Sequence, residues 1–108
     1  MFHHIVLFKF KRGYDKGIHR RMKRFCRDVM KDVPGAVSCF YGENFCEKYT
    51  AKHFSKGMSQ GFTHVFVSVH ENAKAHDKYQ ESKTHEGIVE PLAKVTKDYQ
   101  VCDYITRD

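Results

Sequence analysis

The chain has 108 residues, of which 41% are hydrophobic and 30% are charged, and its formal net charge is +6. This length accommodates one domain with one modest core, and this composition is that of a globular protein rather than a disordered one. Because the sequence contains neither an apolar run of membrane-spanning length nor a secretory signal at its N-terminus, we expect one cytoplasmic domain over residues 1–108 with no membrane partner.

The first predicted element is a β-strand over residues 2–11, where β-branched and aromatic residues predominate. Successive side chains of a strand point to opposite faces of the sheet. One face therefore carries His4, Val6 and Phe8, and the other carries Ile5 and Leu7. Both faces are largely apolar, so we expect both to be covered in the folded protein.

Between about Asp15 and Asp32 the apolar residues recur at helical spacing, which predicts an amphipathic helix with Asp15 as its N-cap. The opposite face of this helix is strongly basic. Its cationic residues are Arg20, Arg21, Lys23, Arg24, Arg27 and Lys31. We interpret this basic face as a solvated helix surface, and binding of an anionic partner such as nucleic acid is the alternative.

Pro34 and Gly35 end this helix, and the remaining sequence predicts further strands and short helices. The predicted elements are strands over 36–44 and 62–70 with a polar loop over 46–61 between them, a helix over 72–81, a short helix capped by Thr84 that Pro91 kinks or ends, and a strand over 98–105. The order β-α-β-β-α-β, with an extra helical turn before the last strand, is typical of the ferredoxin-like α+β fold. That fold has a four-stranded antiparallel sheet with its helices on one face.

Helices on one side of the sheet leave the other side uncovered. That side carries Ile5 and Leu7 on the first strand and Val65 and Val67 on the third. An apolar patch of this kind requires a partner. We therefore expect a homodimer in which two such sheets pack face to face.

Motifs along essentially the whole chain resemble one known family. In the expected order they are His-Ile-Val-Leu-Phe-Lys-Phe-Lys at 4–11, Pro-Gly at 34–35, Tyr-Gly-Glu-Asn at 41–44, Gly-Phe-Thr-His-Val-Phe-Val at 61–67, Tyr79 with His85, and Asp103-Tyr104. Together they resemble the stress-responsive A/B barrel domain (Dabb), whose members include plant stress-induced proteins and plant polyketide cyclases. The resemblance implies a dimeric α+β barrel with a small-molecule cavity in each subunit, between sheet and helices.

The resemblance to the cyclases also implies site residues. In those enzymes a histidine of the N-terminal strand, and a tyrosine and a histidine near the second helix, line the cavity and handle protons; these positions match His4, Tyr79 and His85. The implied cavity wall comprises Val6, Phe8, Met22, Cys26 and Phe66. Many members have Tyr-x-x-His-Pro-x-His where this chain has Tyr-Gln-Glu-Ser-Lys-Thr-His at 79–85, so the intermediate histidine and the proline are missing.

These residue types suit an aldol ring closure, which needs a base to remove a proton next to a carbonyl and a donor to hold the enolate oxygen. Histidine titrates near working pH, and a tyrosine hydroxyl donates a hydrogen bond without carrying charge. We therefore assign His85 as the base and Tyr79 as the donor, with His4 orienting the substrate or relaying protons. The alternatives are a non-catalytic stress-associated dimer that binds a small apolar ligand, and an anion-binding protein.

The sequence predicts neither a metal nor an organic cofactor. His70, Glu71 and His76 do not have the spacing of a zinc-binding helix motif, and no nucleotide-binding glycine pattern or serine-hydrolase motif occurs. The cysteines are interpreted as free thiols, since they form no C-x-x-C pair. His64 we assign to the structural core rather than to the site.

Overall fold

The structure, a computed structural model, describes residues 1–54 and 56–107. Four strands and three longer helices make up the fold. In chain order they are β1 (Phe2–Phe10), α1 (Gly17–Asp32), β2 (Ala36–Glu43), β3 (His64–His70), α2 (Ala73–Glu81), α3 (Lys83–Val95) and β4 (Thr96–Ile105), with a single 3-10 turn at Thr50–Lys52 between β2 and β3. None of the helices in these ranges is both long and apolar enough to cross a membrane.

The strands form one antiparallel sheet in the order β2-β3-β1-β4, with the helices on one face. The predicted ferredoxin-like α+β fold is therefore confirmed. Since β1 lies between β3 and β4, its residues face partners on both sides: Ile5 lies opposite Val67 of β3, and His4 lies opposite Asp103 of β4. This register places the first and the last strand of the chain side by side.

Helix α1 has the predicted apolar face but begins later than predicted. Its buried residues are Ile18, Met22, Phe25, Cys26 and Val29. The helix starts at Gly17 rather than near Asp15, because the Asp15 carboxylate accepts a hydrogen bond from the Gly17 amide at 2.8 Å and holds the turn that enters the helix. All the cationic residues of the basic face are exposed, as a solvated surface requires.

Helix α3 differs most from its prediction. It is a 13-residue helix rather than a short one, and its N-cap is Ser82, whose hydroxyl accepts from the His85 amide at 3.1 Å, not Thr84. The helix continues through Pro91 to Val95. Because proline lacks an amide hydrogen, Pro91 leaves out one backbone bond to the residue four positions earlier, Gly87, and the helix tolerates this loss. The extra length gives the protein a second long helix over the sheet.

The side of the sheet without helices, here called the outer face, is apolar. Along β3 the residues alternate strictly between buried and half-buried, and Val65 and Val67 are among the half-buried ones. Ile5 and Leu7 of β1 are half-buried too, and Phe40 of β2, opposite Val67, is 71% exposed. The outer face is thus the apolar patch that the sequence predicted.

Gly35, in the turn between α1 and β2, is required by both its backbone and its surroundings. Its φ is +82°, and a Cβ there would lie 2.6 Å from the Cβ of Ala75 in α2. We expect Gly35→Ala to lower the free energy of unfolding by roughly 2–4 kcal/mol, the sum of a left-handed conformation and an overpacked contact. Urea denaturation measures this loss.

Gly13→Ala is the matched control, because Gly13 has a φ of +73° but open space around its Cβ position. Its free energy of unfolding should fall only by the contribution of the left-handed backbone conformation, about 1–2 kcal/mol. If both variants lose the same amount, the contact with Ala75 contributes nothing and the packing of α2 on this turn is not as described.

Candidate functional site

A cavity of about 420 Å³ lies between the helices and β1, β3 and β4. All three predicted catalytic residues, His4, Tyr79 and His85, line it. The predicted wall residues that line it are Val6, Phe8, Met22 and Phe66. The structure therefore brings together, in one apolar cavity, side chains that come from β1, α1, β3, α2 and α3.

His4 is held in place by Asp103. The ring is 5% exposed, and its Nδ1 lies 2.6 Å from the Asp103 carboxylate on the neighbouring strand. Because a carboxylate only accepts hydrogen bonds, Nδ1 carries the proton of this bond, and Nε2 is the ring nitrogen that does not contact Asp103. Sequence reasoning quoted Asp103 in a motif but did not assign it to the site; only the β1–β4 register reveals the pair.

Tyr79 stands between the two predicted histidines. It is 2% exposed, and its ring centre lies 5.0 Å from that of His85 and 5.8 Å from that of His4. Burial raises the pKa of Tyr79, so its hydroxyl stays protonated as a donor. Burial, with a smaller effect of His4, lowers the pKa of His85, so its imidazole is neutral near pH 7 and can accept a proton.

The missing His-Pro of the family motif is replaced by a helix cap. Ser82 ends α2 and begins α3: its hydroxyl donates to the Tyr79 carbonyl at 2.7 Å and accepts from the His85 amide at 3.1 Å. One serine therefore fixes the backbone of both residues. This explains how Tyr79 and His85 face the same cavity without the proline.

The part of the wall that sequence reasoning missed comes from α3 and β4. It includes Leu92, Thr96, Tyr99 and Val101. Leu92 and Thr96 lay in the segment that was left unassigned after Pro91, whereas Tyr99 and Val101 lay in the predicted strand over 98–105 without being assigned to the wall. The Thr96 hydroxyl is buried and has no hydrogen-bond partner within residues 1–54 and 56–107.

Cys26, which the resemblance implied as a wall residue, is not in the cavity lining. It is buried on α1, and the neighbouring thiol of Cys39 on β2 lowers the pKa of Cys26. Cys26 therefore packs on the side of α1 turned toward β2. All four cysteines are free thiols, and Cys102 is exposed.

Two further histidines, His70 and His76, lie beside His4. The ring of His76 on α2 is 4.7 Å from that of His4, and the ring of His70 on β3 is 5.4 Å from that of His76. Burial lowers the pKa of His76 and lowers that of His70 to about 4, so both rings are neutral near pH 7. His70 and His76 are six positions apart in the sequence, but His4 is more than 60 positions from either, and only the fold brings it beside them.

His64 lies elsewhere. It stacks on Phe10 with ring centres 4.6 Å apart, and its Nδ1 is 2.9 Å from the Thr63 hydroxyl. It does not line the cavity of His4 and His85. The structure thus gives His64 packing and hydrogen-bonding partners of its own.

Solved structures of other proteins share this fold across nearly the whole chain. At3g17210 from Arabidopsis thaliana superposes with a TM-score of 0.78 at 18% identity, covering 100% of this chain and 97% of that one. Hydroxynitrile lyase from Passiflora edulis gives a TM-score of 0.76 at 14% identity, covering 99% and 94%. A dimeric ferredoxin-like protein from Thermobifida fusca gives 0.74 at 12% identity, covering 97% and 90%. At these identities the likeness shows the fold alone.

A comparison with curated protein sequences gives no match. The family comparison is decisive, because the model of the stress-responsive A/B barrel domain matches residues 2–106, almost the entire chain. The motifs that carried the resemblance in sequence, from the His4 strand to Asp103, all fall within this range. The chain therefore belongs to the stress-responsive A/B barrel domain (Dabb) family.

Proposed function

We propose that this chain forms a homodimer in which each subunit binds a small, largely apolar carbonyl compound. Each subunit catalyses proton removal from this compound and proton return to it, without a cofactor. One observation carries the proposal: His4, Tyr79 and His85 line a single apolar cavity of about 420 Å³. A volume of this size is in the range of small-molecule sites, and an apolar wall with a few convergent polar groups is their usual construction.

The roles follow from the surroundings of each group. The neutral His85 imidazole removes a proton from the carbon next to the substrate carbonyl, and the Tyr79 hydroxyl donates a hydrogen bond to the enolate oxygen that forms. The enolate carbon then attacks a second carbonyl of the same molecule, and the new alkoxide takes a proton back. His4, fixed by Asp103, orients the substrate or relays this proton. This sequence is an aldol ring closure.

The homodimer rests on the outer face. Val65, Val67, Ile5 and Leu7 form an apolar surface that no helix covers within residues 1–54 and 56–107. The Thermobifida fusca protein of similar fold is dimeric. Packing of two outer faces would bury this surface and leave the cavity on the opposite side of each sheet.

The test is proton exchange in D₂O with a panel of aryl methyl ketones and short polyketones, followed by NMR in the presence and absence of the purified protein. We expect at least one compound to lose its α-protons faster with protein than in buffer alone. Binding without faster exchange would overturn the catalytic role and favour a ligand-binding protein. Neither binding nor exchange with any compound would overturn the proposal as a whole.

A further inference from the structure

Three metal-ligating side chains from three different elements converge beside the cavity. They are His4 of β1, His76 of α2 and Asp103 of β4, and their donor atoms all lie within 4.8 Å of one another. We propose that these residues form a binding site for one divalent transition-metal ion, and that Zn²⁺ is the ion that fits them best. This proposal does not rest on the proposed function, with which it shares His4 and the Asp103 that holds it.

The donor set is appropriate for such an ion. Two imidazoles and one carboxylate form the protein part of many zinc sites that leave a further position for water or substrate. Imidazole nitrogens favour zinc and similar ions over Mg²⁺ or Ca²⁺, which prefer sites built of oxygens alone. The wide sequence separation of these ligands explains why a motif search predicts no metal here.

The distances require only small side-chain movements. Ligand atoms about 2.0–2.2 Å from a tetrahedral zinc ion lie roughly 3.4 Å from one another. The His4 Nδ1–Asp103 Oδ1 distance is 2.6 Å, because Nδ1 donates a hydrogen bond to the carboxylate, and the ring centres of His4 and His76 are 4.7 Å apart. An ion that replaced this proton would move His4 and Asp103 slightly apart and draw His76 closer.

Burial leaves the site rigid on one side and open on the other. His4 and His76 are 5% and 8% exposed, whereas the Asp103 side chain is 37% exposed on the edge strand. An ion and its remaining water ligand therefore have a path from solvent past Asp103. Phe2 stacks on His76 with ring centres 4.3 Å apart and holds its ring in position.

Two further polar side chains, Gln80 and His70, lie next to His76. The Gln80 amide nitrogen lies 3.2 Å from His76 Nε2 and donates to it, so Nδ1 of the neutral ring carries the proton. With the Gln80 amide turned by 180°, its oxygen would accept from Nε2–H and leave Nδ1 for an ion, the usual arrangement behind a metal-bound imidazole. Behind His76, His70 is 0% exposed, and its Nδ1 has no hydrogen-bond partner in the described part of the chain. Such an unpartnered buried nitrogen is uncommon, and here it lies in ring contact with a proposed ligand.

The experiment is calorimetric titration of metal-stripped protein with Zn²⁺. We expect one ion per chain, and we expect His76→Ala and Asp103→Asn each to weaken its affinity about 100-fold or more. His53→Ala, which removes an exposed histidine from the loop before β3, is the matched control and should bind like the wild type. Circular dichroism of each variant shows whether it is folded, and Asp103→Asn keeps the size of the side chain should His76→Ala not fold.

Substitution of Co²⁺ separates this site from adventitious thiol sites, since Cys46 and Cys102 are not buried. We expect the visible bands of cobalt bound by nitrogen and oxygen, without the near-ultraviolet sulfur-to-cobalt charge-transfer band. A strong sulfur band, unchanged affinity in both ligand variants, or no Zn²⁺ binding by the wild type would each overturn the proposal.

Discussion

His85→Ala is expected to slow the protein-dependent α-proton exchange of any ketone that the wild type accepts by about 10²–10⁴-fold, the usual contribution of a general base. The imidazole is the only group assigned to remove the proton, and alanine leaves Tyr79 and the apolar wall in place. Substrate binding, measured by titration of the same ketone, should change far less than the exchange rate. The pair of measurements separates loss of the base from loss of the cavity.

The matched control for this substitution is His53→Ala, because His53 is exposed and does not line the cavity. It should exchange the ketone at the wild-type rate. The urea midpoint of His85→Ala must also stay close to that of the wild type, since unfolding would imitate loss of catalysis. Equal exchange rates for wild type and His85→Ala would remove His85 from the mechanism.

Val67→Lys is expected to convert the proposed dimer into monomers or aggregates. Val67 lies at the centre of the outer face, directly opposite Ile5 on one side and Phe40 on the other. In a two-fold symmetric dimer interface the substitution buries two unpaired ammonium groups, which costs several kcal/mol of dimerisation free energy. At about 3 kcal/mol per group, the dimer dissociation constant rises roughly 10⁴-fold. Analytical ultracentrifugation over a concentration series measures this change.

Val89→Lys makes the same chemical change on the other side of the molecule. Val89 is 50% exposed on α3, so its variant should sediment as the wild type does. A Val67→Lys protein that remains a dimer would show that the dimer interface is formed by another surface. A wild type that is monomeric at high concentration would contradict the proposed homodimer itself.

The fold was predictable because its signals are local. Strand β3 alternates between buried and half-buried residues at every position, and α1 repeats its apolar residues at helical spacing. Each pattern reports which face of one element is buried, and together with the element order these faces define the sheet and its helical layer. The family resemblance then placed His4, Tyr79 and His85 on elements that the patterns had already located.

The rest of the site was not predictable because it depends on contacts between distant elements. Asp103 lies next to His4 only because the β1–β4 register places the two residues opposite each other. His76 lies next to both only because α2 packs on the sheet beside them. The C-terminal end of α3 was predicted too early because proline usually ends or kinks a helix, whereas α3 continues through Pro91. The wall residues Leu92 and Thr96 were missed with that boundary.

The pairing of β1 with β4 has a consequence for how the protein is made. His4 and Asp103 are 99 residues apart, and the strand that carries Asp103 leaves the ribosome long after the one that carries His4. Contacts of such long range form late and slow the folding of small domains. Until β4 is synthesised, β1 has an unpaired edge in the middle of the future sheet, and both the cavity and the His4–Asp103 pair are incomplete. Cotranslational folding of this chain therefore cannot complete the cavity before β4 is available.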